Sequence, residues 1–161
     1  MDAKPLVTDN RLDFEDALPD GGALLALDVG TKTVGVATCD AGWRFATAGK
    51  TITRGKFGKD SEALRVIAIE RGIRGVVIGL PRNMDGSEGP RAQASRAYAR
   101  NVAAALALPV LLWDERWSTS SAEGAMIAQD MSRAKRAEKI DSHAAAVILQ
   151  GAIDALAGGG F

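Results

Sequence analysis

One cysteine, Cys39, and one histidine, His143, stand in 161 residues. That scarcity excludes an internal disulfide and a zinc site of the usual Cys/His kind. Any metal here would be a hard ion held by carboxylates. Long apolar runs are also missing. None reaches membrane-spanning length, and the N-terminus lacks the basic-then-apolar plan of a signal peptide. A cytoplasmic protein with no membrane contact is expected, and a lone Cys39 near a strand end suits a reducing compartment. Net charge is zero, but the zero hides an asymmetry. Residues 1–23 carry −4, from six acids against two bases, and the remainder carries +4. A mildly basic body is compatible with nucleic acid without demanding it. A P-loop is absent as well. Gly49-Lys50-Thr51 imitates its end, but Arg44 stands where the leading glycine belongs and no helix follows.

What is present fits one domain with a proper core. Residues 1–22 are polar and acidic, with Pro5, Pro19 and Gly21-Gly22. They read as a flexible extension, with a helical turn at Phe14–Leu18 at most. The folded domain is expected over residues 23–157, and residues 158–161 form a tail. Leu24–Val29 is apolar enough to be a strand buried on both faces. Gly30-Thr31-Lys32 makes a turn, and Thr33–Thr38 returns with β-branched residues. Trp43–Thr53 reads as a third strand. An amphipathic helix follows at Asp60–Arg71, closed by Gly72. Gly75–Leu80 is another doubly buried strand, stopped by Pro81. Glu88–Leu106 is an Ala-rich helix, and Pro109–Trp113 a fifth strand. Ser120 with Glu123 matches a capping box for a helix reaching about Gln129. Asp130–Lys139 reads as a basic loop before a last helix from about Ile140 to Leu156. The fold class is therefore α/β: a five-stranded mixed sheet, a three-strand meander plus two parallel strands, with helices on both faces. The parallel strands share an edge at their C-terminal ends, where open α/β sheets place ligands.

Three acids converge on that edge. Asp28 ends the first strand where the pattern asks for an aliphatic residue, although it could merely start the turn. Glu115 lies just past the fifth strand. Asp141 heads the apolar stripe Ala144, Ala145, Ile148, Leu149, Ala152 and Leu156 of the last helix, although its residue type also suits an N-cap. Three such carboxylates repel one another and resist ionising. Divalent cations relieve this, and carboxylate-bridged ions are a standard device for phosphodiester cleavage. No Ser-His-acid arrangement competes, since His143 is turned to a different helix face from Asp141.

The stretches LALDVGTKTVGVA, VVIGLPRNMDGSEGPRAQ, DERWST and KIDSHAAAVILQ resemble the YqgF/RuvX family of pre-16S rRNA nucleases. That family shares the RNase H-like fold with Holliday-junction resolvases. The likeness spans about residues 24–156. It implies that Asp28, Glu115 and Asp141 are catalytic and metal-binding, that the cofactor is Mg²⁺ or Mn²⁺, and that the chain trims the 5′ end of small-subunit rRNA precursor during ribosome biogenesis. Trp117 and Ser118 depart from the aliphatic and Thr more usual after the D-E-R motif.

Around the acids, Lys32 and Arg116 are candidate phosphate contacts, with solvated turn charge as the alternative. Arg82, Asn83 and Asp85 lie beyond the fourth strand and are candidate substrate contacts, with a simple turn as the alternative. Arg133, Lys135 and Arg136, with Lys139, make a basic flap suited to an RNA backbone, although such loops are often only solvated. The partner expected is rRNA precursor on the small ribosomal subunit, with branched DNA as a further candidate, and the chain a monomer or homodimer. Competing functions are a four-way-junction resolvase, which should be a two-fold dimer, a non-catalytic nucleic-acid-binding module, and an ATP-binding domain of the sugar-kinase and actin type. The last needs two such domains, and this chain has room for one.

Overall fold

A computed structural model describes residues 5–18, 20–115 and 133–158, and within the last helix the side chains of residues 142–156. The centre is β2 (Ala23–Val29), an apolar run broken only by Asp28. A tight turn returns it as β3 (Thr33–Cys39), antiparallel in the register Leu24↔Cys39 to Val29↔Val34. On its other side β2 pairs in parallel with β6 (Ile73–Leu80), and β6 with β7 (Val110–Asp114). These three buried parallel strands are the framework expected from their continuous apolar runs.

Among the described residues the sheet has seven strands, not five. The expected third strand is two short ones, β4 (Thr47–Ala48) and β5 (Ile52–Thr53), both paired with β3. Trp43 takes a positive φ of 55° and Gly49 intervenes, so the run does not stay extended. The seventh strand comes from the segment expected as a flexible extension. Val7–Thr8 forms β1, parallel to β7, and Arg11–Asp16 forms helix α1. Asn10 caps α1 by accepting from the backbone N–H groups of Leu12 and Asp13. Phe14 is fully buried and Leu18 nearly so. Two apolar side chains dock this segment although its overall composition is acidic.

Period-two alternation divides the sheet into two faces. Leu25, Leu27 and Val29 of β2, with Val76, Ile78 and Leu80 of β6, meet α2 (Phe57–Arg71) and α3 (Pro90–Leu106). Leu24 and Ala26, with Val77, Leu111 and Trp113, meet the last helix, α4 (Arg133–Gly158), through Ala145, Ile148, Leu149, Ala152 and Ile153. The expected basic loop before the last helix is, from Arg133, part of α4. Its Ala, Lys, Arg and Glu residues are all strong helix formers. The helix expected over Ser120–Gln129 lies outside the described residues.

Candidate active site

Asp28 is the penultimate residue of β2, and Glu115 follows β7 at once. Counting by twos from Leu24 and Ala26 reaches Asp28, and from Leu111 and Trp113 reaches Glu115. Both acids therefore lie on the α4 face. Between their strands runs β6, whose residue at this level is Gly79. The Glu115 carboxylate lies across it: a Cβ at position 79 would stand 2.5 Å from Glu115 Oε1 and 2.7 Å from Ile148 Cδ1. The missing side chain of Gly79 is thus the space in which Glu115 reaches toward Asp28, and the two carboxyl groups share a hydrogen bond. A hydrogen bond between two carboxyl groups requires that one keep its proton. Burial, then the charge and hydrogen bond of Asp28, push Glu115 up to about 7; the charge of Arg91 pulls it down, and that of Asp114 adds a smaller push upward.

The third expected acid, Asp141, lies in α4 one turn before Ala145, in line with the residues that face the sheet. Its side chain is outside the described residues, and among those described no group of three metal-ligating side chains assembles. The next residue, Ser142, is buried, and its hydroxyl meets that of Thr51 at 2.7 Å. This contact pins the helix next to Asp141 against the residue that leads into β5.

The β2–β3 turn is held from outside. Gly30 N–H donates to Thr33 O at 2.8 Å. Arg54 donates through Nη1 to Gly30 O at 2.7 Å and through its backbone N–H to Lys32 O at 2.8 Å. The same guanidinium lies 5.2 Å from the Tyr98 ring centroid, and Tyr98 meets Phe57 edge-on at 5.4 Å. Lys32 is exposed on this clamped turn, at the Asp28 end of the sheet.

Arg82, expected to contact substrate, is engaged by the protein's own acids. It reaches Asp9 at 3.2 Å, Asp114 at 3.3 Å and Glu88 at 3.4 Å. Arg96 completes the cluster, with Glu88 at 2.6 Å and Asp9 at 3.9 Å. The Arg96 guanidinium holds Glu88 down at about 2. Asn83 and Asp85 fold their loop around Ser87. Asn83 Nδ2 donates to Ser87 Oγ at 2.9 Å, and Ser87 donates to Asp85 Oδ1 from its backbone N–H and its hydroxyl. Arg116 lies outside the described residues. Arg133, Lys135 and Arg136 belong to the first turns of α4, with their side chains likewise outside.

Two site residues escape a reading of the sequence. Gly79 could have been suspected, because a glycine inside an apolar strand often marks a close approach. Arg91 sits exposed in the first turn of α3, which Gly89 and Pro90 begin. Its charge acts on Glu115, and it makes no ion pair among the described residues.

A mixed sheet whose parallel strands β2 and β7, one strand apart, deliver half-buried acids under a crossing helix defines an RNase H-like nuclease domain. The fold is that of a solved structure titled "T. thermophilus RuvC in complex with Holliday junction substrate". The likeness has a TM-score of 0.54 at 13% identity and covers 85% of this chain and 96% of that one. The chain belongs to the RuvX family, whose model, described as "RuvX: Holliday junction resolvase", matches residues 22–155. A relative from Novosphingobium aromaticivorans is 65% identical over 97% of this chain and 100% of its own length. One from Sphingopyxis alaskensis is 62% identical over 94% and 99%. Both carry the name "Putative pre-16S rRNA nuclease".

Proposed function

We propose that this chain hydrolyses phosphodiester bonds at the 5′ end of small-subunit rRNA precursor in the cytoplasm, with Mg²⁺ or Mn²⁺ as cofactor. The observation that carries this reading is the Asp28–Glu115 contact across Gly79. Two half-buried carboxyl groups held this close repel each other once both ionise, an arrangement that a divalent cation relieves. Their all-oxygen donor set suits a hard ion. Asp28 and Glu115 would hold it, with Asp141 as the third donor. A cation so bound supplies an activated water and neutralises charge on the phosphate.

The chain's own residues do the rest. Gly79 and Ile148 fix where the Glu115 carboxyl lies. Arg91 and Lys32 offer positive charge at the rim to the incoming backbone, the usual means of positioning a nucleic acid. The names carried by the relatives support rRNA precursor as substrate. The family description favours a second reading, cleavage of four-way DNA junctions. A resolvase must cut two strands symmetrically, so it would act as a two-fold dimer.

The test is incubation of the purified chain with precursor RNA and with a four-way DNA junction, each with Mg²⁺ or Mn²⁺, beside Asp28→Asn. RNA should be cut by the wild type and not by the folded variant. Junction cleavage by a dimer, with RNA left intact, would select the second reading. Equal activity of Asp28→Asn would remove both.

A further inference from the structure

A cavity of about 600 Å³ lies between α1 and the second half of α4. Its volume is in the range of small-ligand sites. Its apolar wall includes Leu111 and Trp113, successive residues of β7 on the α4 face. The next residue on that face is Glu115, about 7 Å further along at the usual rise of a strand. Gly151 widens the cavity against the indole: a Cβ there would already stand 3.4 Å from Trp113 Nε1.

The polar rim has a definite character. Asp9, Arg11 and Asp154 line it; Asp9 is already held by Arg82 at 3.2 Å and Arg96 at 3.9 Å, which leaves Asp154 as the carboxylate open to a ligand. Arg11 Nη1 already donates to Ala155 O at 3.2 Å. The Asp154 carboxylate accepts hydrogen bonds from neutral N–H donors. Asn10 adds the complementary group. Its Oδ1 is used in capping α1, which leaves its Nδ2 as the group that can donate to a ligand. Asp154 is exposed, and its Oδ1 accepts from Gln150 Nε2 at 3.0 Å. That leaves lone pairs for a ligand.

We propose that this cavity receives one unpaired base of the substrate strand, next to the phosphate that is cut, and prefers a base bearing an exocyclic amine to uracil. This deepens the nuclease reading and rests on it for the identity of the strand. The apolar wall takes the flat heterocycle, Asp154 accepts from its amine, and Asn10 donates to a ring or carbonyl acceptor. Its neighbourhood to Glu115 fixes the base relative to the reacting phosphate, so the cavity chooses where the strand is cut.

Fluorescence anisotropy in EDTA tests this without cleavage. The probes are labelled precursor RNA oligonucleotides in which an abasic residue, or a uridine, is walked along the sequence. One position should lose about tenfold in affinity when abasic, and a smaller factor when uridine. Gly151→Leu, which fills the cavity, should erase the abasic penalty. Asp154→Asn, an exposed change that leaves the core alone, should erase the amine preference. Circular dichroism checks that both variants fold. Uniform affinity along the walk, or the same sensitive position in both variants, would overturn the proposal. Cleavage with Mg²⁺ is scored separately. A sensitive position without any cleavage would overturn the nuclease reading and leave the cavity's assignment standing.

Discussion

One methyl group added at position 79 tests the site without changing either acid. The new Cβ would stand 2.5 Å from Glu115 Oε1, 3.0 Å from Glu115 Cδ and 2.7 Å from Ile148 Cδ1. Ordinary contact begins at roughly 3.5 Å, so the Glu115 carboxyl must retreat by about 1 Å. A displacement of that size in a catalytic group costs about 100-fold in rate. The stability effect is smaller. Crowding a packed interior costs about 1–3 kcal/mol, and replacing glycine in a strand returns about 0.5–1 kcal/mol. For a domain of this length, each net kcal/mol lowers Tm by about 2–4 °C. Gly75→Ala is the matched control. It lies on the same strand and face, and its Cβ would meet Phe14 Cζ at 2.8 Å and Leu18 Cδ1 at 3.0 Å, far from the acids. Both variants should melt a few degrees early, and only Gly79→Ala should lose activity on precursor RNA. Wild-type kcat/KM in Gly79→Ala, or an equal loss in Gly75→Ala, would refute the reasoning.

Stability should also depend on pH. The unfolded chain ionises Glu115 near the ordinary 4.5, whereas the folded chain keeps its proton to about 7. The folded state thus binds more protons in that window. The Glu115 contribution to stability is full below 4.5, is lost as pH rises and is gone above 7, about 3 kcal/mol at most. Glu88, held down at about 2, acts in the opposite sense and only at lower pH. Melting in EDTA from pH 5 to 8 should therefore show a fall in Tm that Glu115→Gln flattens; a parallel fall in that variant would assign the effect elsewhere. Phe14→Ala should cost about 3–5 kcal/mol in urea unfolding, and a loss below about 1 kcal/mol would mean that α1 is not part of the core. Arg54→Ala should cost about 1–2 kcal/mol, from the contact with Tyr98 and the bond to Gly30. Arg54→Lys should restore little of it, because an ammonium lacks the planar fork; full recovery with lysine would show that charge alone matters there.

The acids at the strand ends were legible because each interrupts or follows an apolar run at a place where open sheets present chemistry. Asp28 is the one polar residue in its strand, and Glu115 lies one residue past another strand. Their contact was not legible, because it depends on strand register and on a glycine in the strand between them. The cluster of Asp9, Arg82, Glu88, Arg96 and Asp114 was hidden for a similar reason. Its members are scattered along the sequence and meet only once β1 lies beside β7. The first twenty residues misled through composition. Acidity and weak periodicity suggest a solvated tail, yet Phe14 and Leu18 suffice to anchor it. The start of α4 misled in the same way, because a run of bases suggests a loop while its residue types favour a helix.

The pairing of β1 with β7 has a practical side. The family match begins only at residue 22, and a recombinant fragment trimmed to that boundary would discard Val7–Thr8 and the Phe14 plug together. The flank of β7 would then offer its unpaired N–H and C=O groups to any passing strand, the template from which intermolecular sheets grow. Self-association of such a fragment would be a product of the trimming, and would be a false guide to whether the intact chain works alone or in pairs.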